Sequence, residues 1–279
     1  MRTQKFHTSE GLVGIGYVWD NTQALADYIR PQISPTTHKG MTGGDLSHVA
    51  RADRLLDRIE TVEILADTLP QTIRSVTGGL ADVPAYLSGS PMNMRRRRKQ
   101  ESKAPLTLLV DTSASGGMSA DIIERRGVAI IALLRKLERD DHAVRLWIAG
   151  AMTPQLTRHG TFMAALLDTA PIDLARACYM ICSEAMLRDC FFETAHKAND
   201  AADTGVIHWP WSKGSGWTRG KRLQSECWSK VLDEREQDLL VIPPVHVNES
   251  AKFASDESAA KWVNEQYAEI TTRHLEEDY

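Results

Sequence analysis

Three stretches of this chain carry residues whose types and spacing suit chemistry. In "LLVDTSASGGM" (108–118) an apolar run ends in Asp111, and Ser113 and Ser115 follow at alternate positions before two glycines. A carboxylate and two hydroxyls at the carboxyl end of a strand are hard oxygen donors, suited to a metal or a phosphate. The same letters also make a polar turn that caps the next helix. The second stretch is "RRRRK": Arg95, Arg96, Arg97, Arg98 and Lys99. Its plainer reading is a solvated linker. Yet guanidinium forks match phosphate oxygens, and five adjacent cations on a phosphate backbone give binding that weakens steeply with salt. The third is "GVIHWPWSKGSGWTRGKRLQSECWSK" (205–230), which holds Trp209, Trp211, Trp217 and Trp228, four of the chain's seven tryptophans. Lys213, Arg219, Lys221, Arg222 and Lys230 are interleaved with them. Aromatic faces for bases and cations for the backbone are how single-stranded nucleic acid is held. The alternative is that the tryptophans anchor a long loop onto the domain.

Catalytic constellations are missing from the sequence. It contains no GxxxxGK[ST], GxSxG or HExxH, and no GxGxxG after a strand. Ser113 as a nucleophile would need a distant base, His142 or His246. The expectation is a protein that is not an enzyme. Cys178, Cys182, Cys190 and Cys227 have neither metal-site nor disulfide-framework spacing and read as reduced core thiols.

Net charge is −4, but it is unevenly spread. "MRRRRKQESK" (94–103) has six basic residues and one acid, whereas the chain from Asp233 onward has twelve acids and four basic residues. Such segregation speaks of partners rather than of fold. No apolar run approaches the roughly 18 residues of a membrane span, and the amino terminus lacks the apolar core of a secretory signal. A cytoplasmic protein without membrane contact is expected. The sequence does not fix its oligomeric state.

The elements that must position these residues follow from periodicity. "GLVGIGYVWDN" reads as a strand and "TQALADYIR" as a helix stopped by Pro31; "ISPTTHKGMTGGD" reads as a loop. One or two helices are expected in "LSHVARADRLLDRIETVEILADTL". From Ala104 onward, "PLTLLVD" is a buried strand and Ser119 an N-cap for "ADIIERRGVAIIALLRKLER". "AVRLWIAGAM" is a second strand, "LARACYMICSEAMLRDCFFETAHKAN" a long helix, "DLLVIPPV" a strand and "DESAAKWVNEQYAEITTRHL" a closing helix. Strands alternating with helices predict an α/β fold with a mainly parallel sheet flanked by helices. The predicted division is a partly helical, mixed region over 1–104 that ends in the basic linker, then an α/β domain over 105–279.

Asp111-Thr112-Ser113-Ala114-Ser115, after a strand and before an amphipathic helix, resembles the DxSxS signature of von Willebrand factor A-like domains. The resemblance covers roughly residues 105–270. It implies a Rossmann-like sheet and, through Asp111, Ser113 and Ser115, a divalent cation such as magnesium at the carboxyl edge of that sheet. The family adds a threonine, for which Thr153, Thr157 and Thr161 are candidates, and a later aspartate. Here Pro243 and Pro244 stand where an Asp-Gly pair would fit, so no cofactor is expected outright. Intracellular members pair with partners such as an AAA+ ATPase. The ending "TTRHLEEDY" resembles the acidic tails through which single-stranded DNA-binding proteins recruit partners, a polymerase among them. The surroundings of "VPAYLSGSPMNMRRRR" resemble phage-encoded proteins, a setting that includes Drc-type single-stranded DNA-binding proteins that aid transcription. The function expected is therefore single-stranded nucleic-acid binding with a protein partner at the acidic carboxyl terminus. The alternative is a von Willebrand-like adaptor built on Asp111.

Overall fold

The computed structural model of the chain describes residues 1–59, 72–76, 80–97, 106–114, 117–140, 142–152, 159–169, 171–191, 193–194, 197, 221–234 and 239–277. Its centre is β6 (Leu106–Asp111), six residues that are buried without exception. Burial at every position suits a strand covered on both faces. β6 pairs in parallel with β7 (Val144–Met152) on one side and with β9 (Leu239–Ile242) on the other. Beyond β7 come β8 (His159–Thr169), antiparallel to it, then β2 (Val13–Trp19), parallel to β8, and β1 (Arg2–His7), antiparallel to β2. The six-stranded order is β1-β2-β8-β7-β6-β9. The class is α/β, as expected, with three parallel and two antiparallel pairings.

Helices cover the sheet. One sheet face buries Phe6, Leu109, Trp147, Phe162 and Leu239 against Cys227, Trp228 and Val231 of the helix Lys221–Leu232. The Phe162 ring meets the edge of Trp228 at 5.3 Å between centroids. A second group of helices gathers around α5 (Ala120–Arg139), whose stripe Ile123, Ile130, Ile131, Leu134 and Leu137 is buried as its periodicity predicts. Ser119 occupies the N-cap position, but its side chain makes no capping bond.

The chain divides at the expected residue 104 and again at residue 60. Met1–Glu60 joins Pro105–Tyr279 in one unit, because β1 and β2 complete its sheet; Thr61–Ala104 forms a second, small unit. That unit holds a three-stranded antiparallel sheet, β3 (Thr72–Ser75), β5 (Met94–Arg97) and β4 (Leu80–Ala81), with β5 central. Arg95, Arg96 and Arg97 are thus strand residues and not a linker.

Three further expectations need correction. The stretch read as a loop holds a helix, Pro35–Gly43, because the Ser34 hydroxyl accepts the Thr37 N–H at 3.0 Å and Pro35 sits in the first turn, where its missing N–H costs nothing. The long helix expected from Leu174 stops at Cys182, and a π-helical stretch, Met186–Phe191, follows. Trp228 is 1% exposed on the helix Lys221–Leu232 and serves the core.

Candidate functional site

β6 delivers Asp111 to the carboxyl edge of the sheet, and the next three residues are stitched to both neighbouring strands. The Thr112 N–H and its hydroxyl both donate to the Ala149 carbonyl, at 2.8 and 3.1 Å. The Ser113 N–H donates to Asp111 Oδ1 at 2.9 Å. Ser113 Oγ accepts the Ala151 N–H at 3.0 Å and reaches the Ala151 carbonyl at 3.4 Å. On the β9 side the Val245 N–H donates to the Ser113 carbonyl at 3.2 Å, and Ala114 bridges Val245.

Beneath this turn lies Arg126, from the second turn of α5. Its Nη2 donates to the Asp111 carbonyl at 2.9 Å and to the Pro243 carbonyl at 2.7 Å, one N–H for each. Asp111 is 1% exposed and Arg126 3%. Burial pushes the Asp111 carboxyl up to about 6, although the Ser113 hydroxyl and N–H, and then the Arg126 charge, pull it back. Burial likewise lowers Arg126 to about 10, against the support of Asp111 and Glu249.

The described members of the donor set that the resemblance implies, Asp111 and Ser113, are already engaged within the protein. Asp111 already receives the Ser113 N–H, and Ser113 Oγ already receives the Ala151 N–H. A guanidinium supplies the positive charge from inside, and the Pro243 carbonyl is spent on it. Thr161 is buried on β8, which β7 separates from β6. Ser115, Thr153 and Thr157 lie outside the described residues.

Of the two candidate bases, His142 lies far from Ser113. His142 precedes β7, and its neighbour Ala143 receives the Leu106 N–H, so His142 sits at the amino end of β6. Five strand residues, about 17 Å, separate that end from Asp111. His246 Nδ1 accepts the Asn248 N–H at 3.3 Å and caps the 3-10 helix Val247–Phe253. The four cysteines are buried thiols outside any disulfide, and burial raises Cys178 to about 11 and Cys182 well above its ordinary value, which disfavours their thiolates.

The arginine strand is a different kind of site. In the small unit Arg95 stands opposite Arg74 of β3 and opposite Leu80 of β4, while Arg97 stands opposite Thr72. Register partners share a face, as do residues two apart, so Arg74, Arg95 and Arg97 occupy one face of this sheet and Arg96 the other. Arg74 is the member that sequence reasoning missed, because only the pairing brings it to β5. Arg98 and Lys99 lie outside the described residues, as do Trp209, Trp211, Lys213, Trp217 and Arg219. Lys221 and Arg222 begin the helix Lys221–Leu232.

Fold and edge together define an α/β protein with a six-stranded mixed sheet, an Asp111 turn held by the Arg126 guanidinium, and a small arginine-bearing sheet as its second unit. The chain belongs to the family described as "Domain of unknown function (DUF7192)", which matches residues 35–272 and so leaves β1 and β2 outside the matched span. No curated protein and no solved structure matches it. Among the described residues no helix is long and apolar enough to cross a membrane.

Proposed function

We propose that this chain is a non-enzymatic single-stranded nucleic-acid-binding protein, with the arginine sheet of residues 61–104 as a phosphate-binding surface. One observation carries the reading: Arg74 and Arg95 are directly opposed across two strands, with Arg97 on the same face. Like charges so placed destabilise a sheet unless an anion lies over them. The interleaved tryptophans and cations of 209–222 would add base stacking, and the acidic carboxyl terminus would recruit a protein partner.

Fluorescence anisotropy with a labelled single-stranded oligonucleotide, titrated at several salt concentrations, tests this. Each phosphate contact contributes about −0.7 to the slope of log affinity against log salt. The double substitution Arg95→Ala/Arg97→Ala should weaken binding and flatten that slope by roughly 1.4. Trp211→Ala or Trp217→Ala should each cost about 1–3 kcal/mol of binding. Affinity that ignores both salt and the arginines would end the proposal.

A second reading rests on Asp111 closing a strand with parallel neighbours on both sides. That is where a von Willebrand-like adaptor would present its site to a protein such as an AAA+ ATPase. Magnesium-dependent association that Asp111→Ala abolishes would favour it. It ranks second because Pro243 and Pro244 stand where the family's later aspartate would be.

A further inference from the structure

The small unit exposes an apolar surface that the arginine reading leaves unused. Val83, Tyr86 and Leu87 of the short helix Val83–Leu87 are 58%, 67% and 78% exposed. Their spacing of three and four residues sets them on one helical face. Met92, just before β5, is 51% exposed and Val76, just after β3, 68%. These five are the greater part of the large exposed apolar side chains among the described residues, the others being Met1 and Leu46. Isolated exposed apolar residues need no explanation, but five gathered within seventeen residues of chain do.

The helix is fastened to the arginine strand. The Asp82 N–H donates to the Asn93 carbonyl at 2.8 Å, and Asp82 Oδ1 caps the helix by accepting the Ala85 N–H at 3.2 Å. Asp82 is also the one acid among the described residues of this unit, and it is 2% exposed. Among the described residues of this unit the apolar side chains therefore have no exposed carboxylate beside them in the chain.

We infer that the Val83–Tyr86–Leu87 face, with Met92, is the base-contacting half of the site whose phosphate half is Arg74, Arg95 and Arg97, and that it selects single strands over duplex. The inference rests on the nucleic-acid reading above. Its occupant must offer negative charge and apolar surface together. A single strand does so along its length, with unpaired bases beside each phosphate, whereas a duplex turns its base faces inward. Arg95 and Arg97 repeat at about 7 Å along β5, a spacing that a flexible single strand can extend to meet. Tyr86 offers the π-face on which a base stacks, and the aliphatic side chains cover the next base.

The test uses the full chain with three probes: labelled oligothymidylate, the same strand paired in a duplex, and vesicles of phosphatidylcholine with phosphatidylserine. Tyr86→Ala should weaken oligothymidylate binding roughly 5- to 150-fold, while Tyr86→Phe keeps it. Leu87→Ser should weaken it in the same direction, and duplex affinity should stay as it was. Both side chains are exposed, so the folded state is expected to survive each change. If Tyr86→Ala and Leu87→Ser leave oligothymidylate affinity unchanged while Arg95→Ala/Arg97→Ala lowers it, this inference is wrong and the functional reading stands. Equal losses on single strand and duplex would also overturn it. Vesicle binding that exceeds oligonucleotide binding, and that Leu87→Ser abolishes, would make the face a membrane contact instead. No oligonucleotide binding by the unaltered chain would overturn both readings together.

Discussion

Asp111 is a carboxyl group on which burial and pairing act in opposite directions. Desolvation outweighs the Ser113 bonds and the Arg126 charge, so its value in the folded chain, about 6, lies above the ordinary value near 3.8. The raised value fixes the sign of the pH dependence. The folded state binds the proton more tightly than the unfolded state, so the contribution to stability is fully present below about pH 4 and is lost as pH rises through about 6. At neutral pH the buried charge costs on the order of 3 kcal/mol. Asp111→Asn keeps an oxygen for the Ser113 N–H and removes the charge. It should therefore raise the urea midpoint near pH 7 and have little effect near pH 4. A variant less stable than the parent at neutral pH would show that Arg126 holds the carboxylate more firmly than burial opposes it. A rise of the parent's midpoint with magnesium would instead show that this edge binds the cation, because a ligand stabilises a fold that binds it.

The contact between α5 and the helix Leu174–Cys182 depends on a missing side chain. A Cβ at Gly127 would lie 2.7 Å from Cys182 Cα and 2.9 Å from the Ile181 carbonyl oxygen, both backbone atoms that cannot swing aside. Gly127→Ala should gain up to about 1 kcal/mol of helix propensity and lose about 1–3 kcal/mol to the clash. The expected net result is a lower melting temperature by calorimetry; a higher one would mean that the two helices part at little cost. Periodicity in "ADIIERRGVAIIALLRKLER" marks the face on which Gly127 lies, but not the partner across it. β6, α5, β7, β9 and the closing helix Asp256–Glu277 were legible for the same reason, each carrying a strong local pattern. β8 carries none: "HGTFMAALLDT" is poor in β-branched residues and becomes a strand by lying between β2 and β7. "MRRR" is a strand only through β3 and β4, for arginine runs have no strand signature of their own. The helix Pro35–Gly43 could have been found, because Ser34 followed by Pro35 is a start signal that the glycines after it obscured. At the Asp111 edge the oxygen donors were readable, while Arg126, fifteen residues on, was not.

Charge is divided between the two units in a way that neither local pattern nor overall composition conveys. Residues 61–104 contain seven basic and four acidic side chains, which leaves the rest with 26 basic and 33 acidic. The larger unit on its own would repel a polyanion, and the smaller would attract one. The chain leaves the larger unit after the helix Val49–Arg58 and returns at β6, so the smaller unit is an insertion between two of its elements. Insertions of this kind add little closure cost: replacing residues 61–104 by a flexible linker of about ten residues should change the free energy of unfolding by only about 1 kcal/mol. The shortened chain should keep its circular dichroism spectrum and its cooperative urea transition, while oligonucleotide affinity falls at least about tenfold and its salt slope flattens. Loss of cooperative unfolding would show that the inserted segment completes the larger unit's core. Retained affinity with an unchanged slope would move the phosphate contacts to the cations of 213–222 and leave the arginine sheet without a ligand. The shortened chain thus separates the two basic segments, which the sequence presents as equals, by asking which of them carries the counterion release.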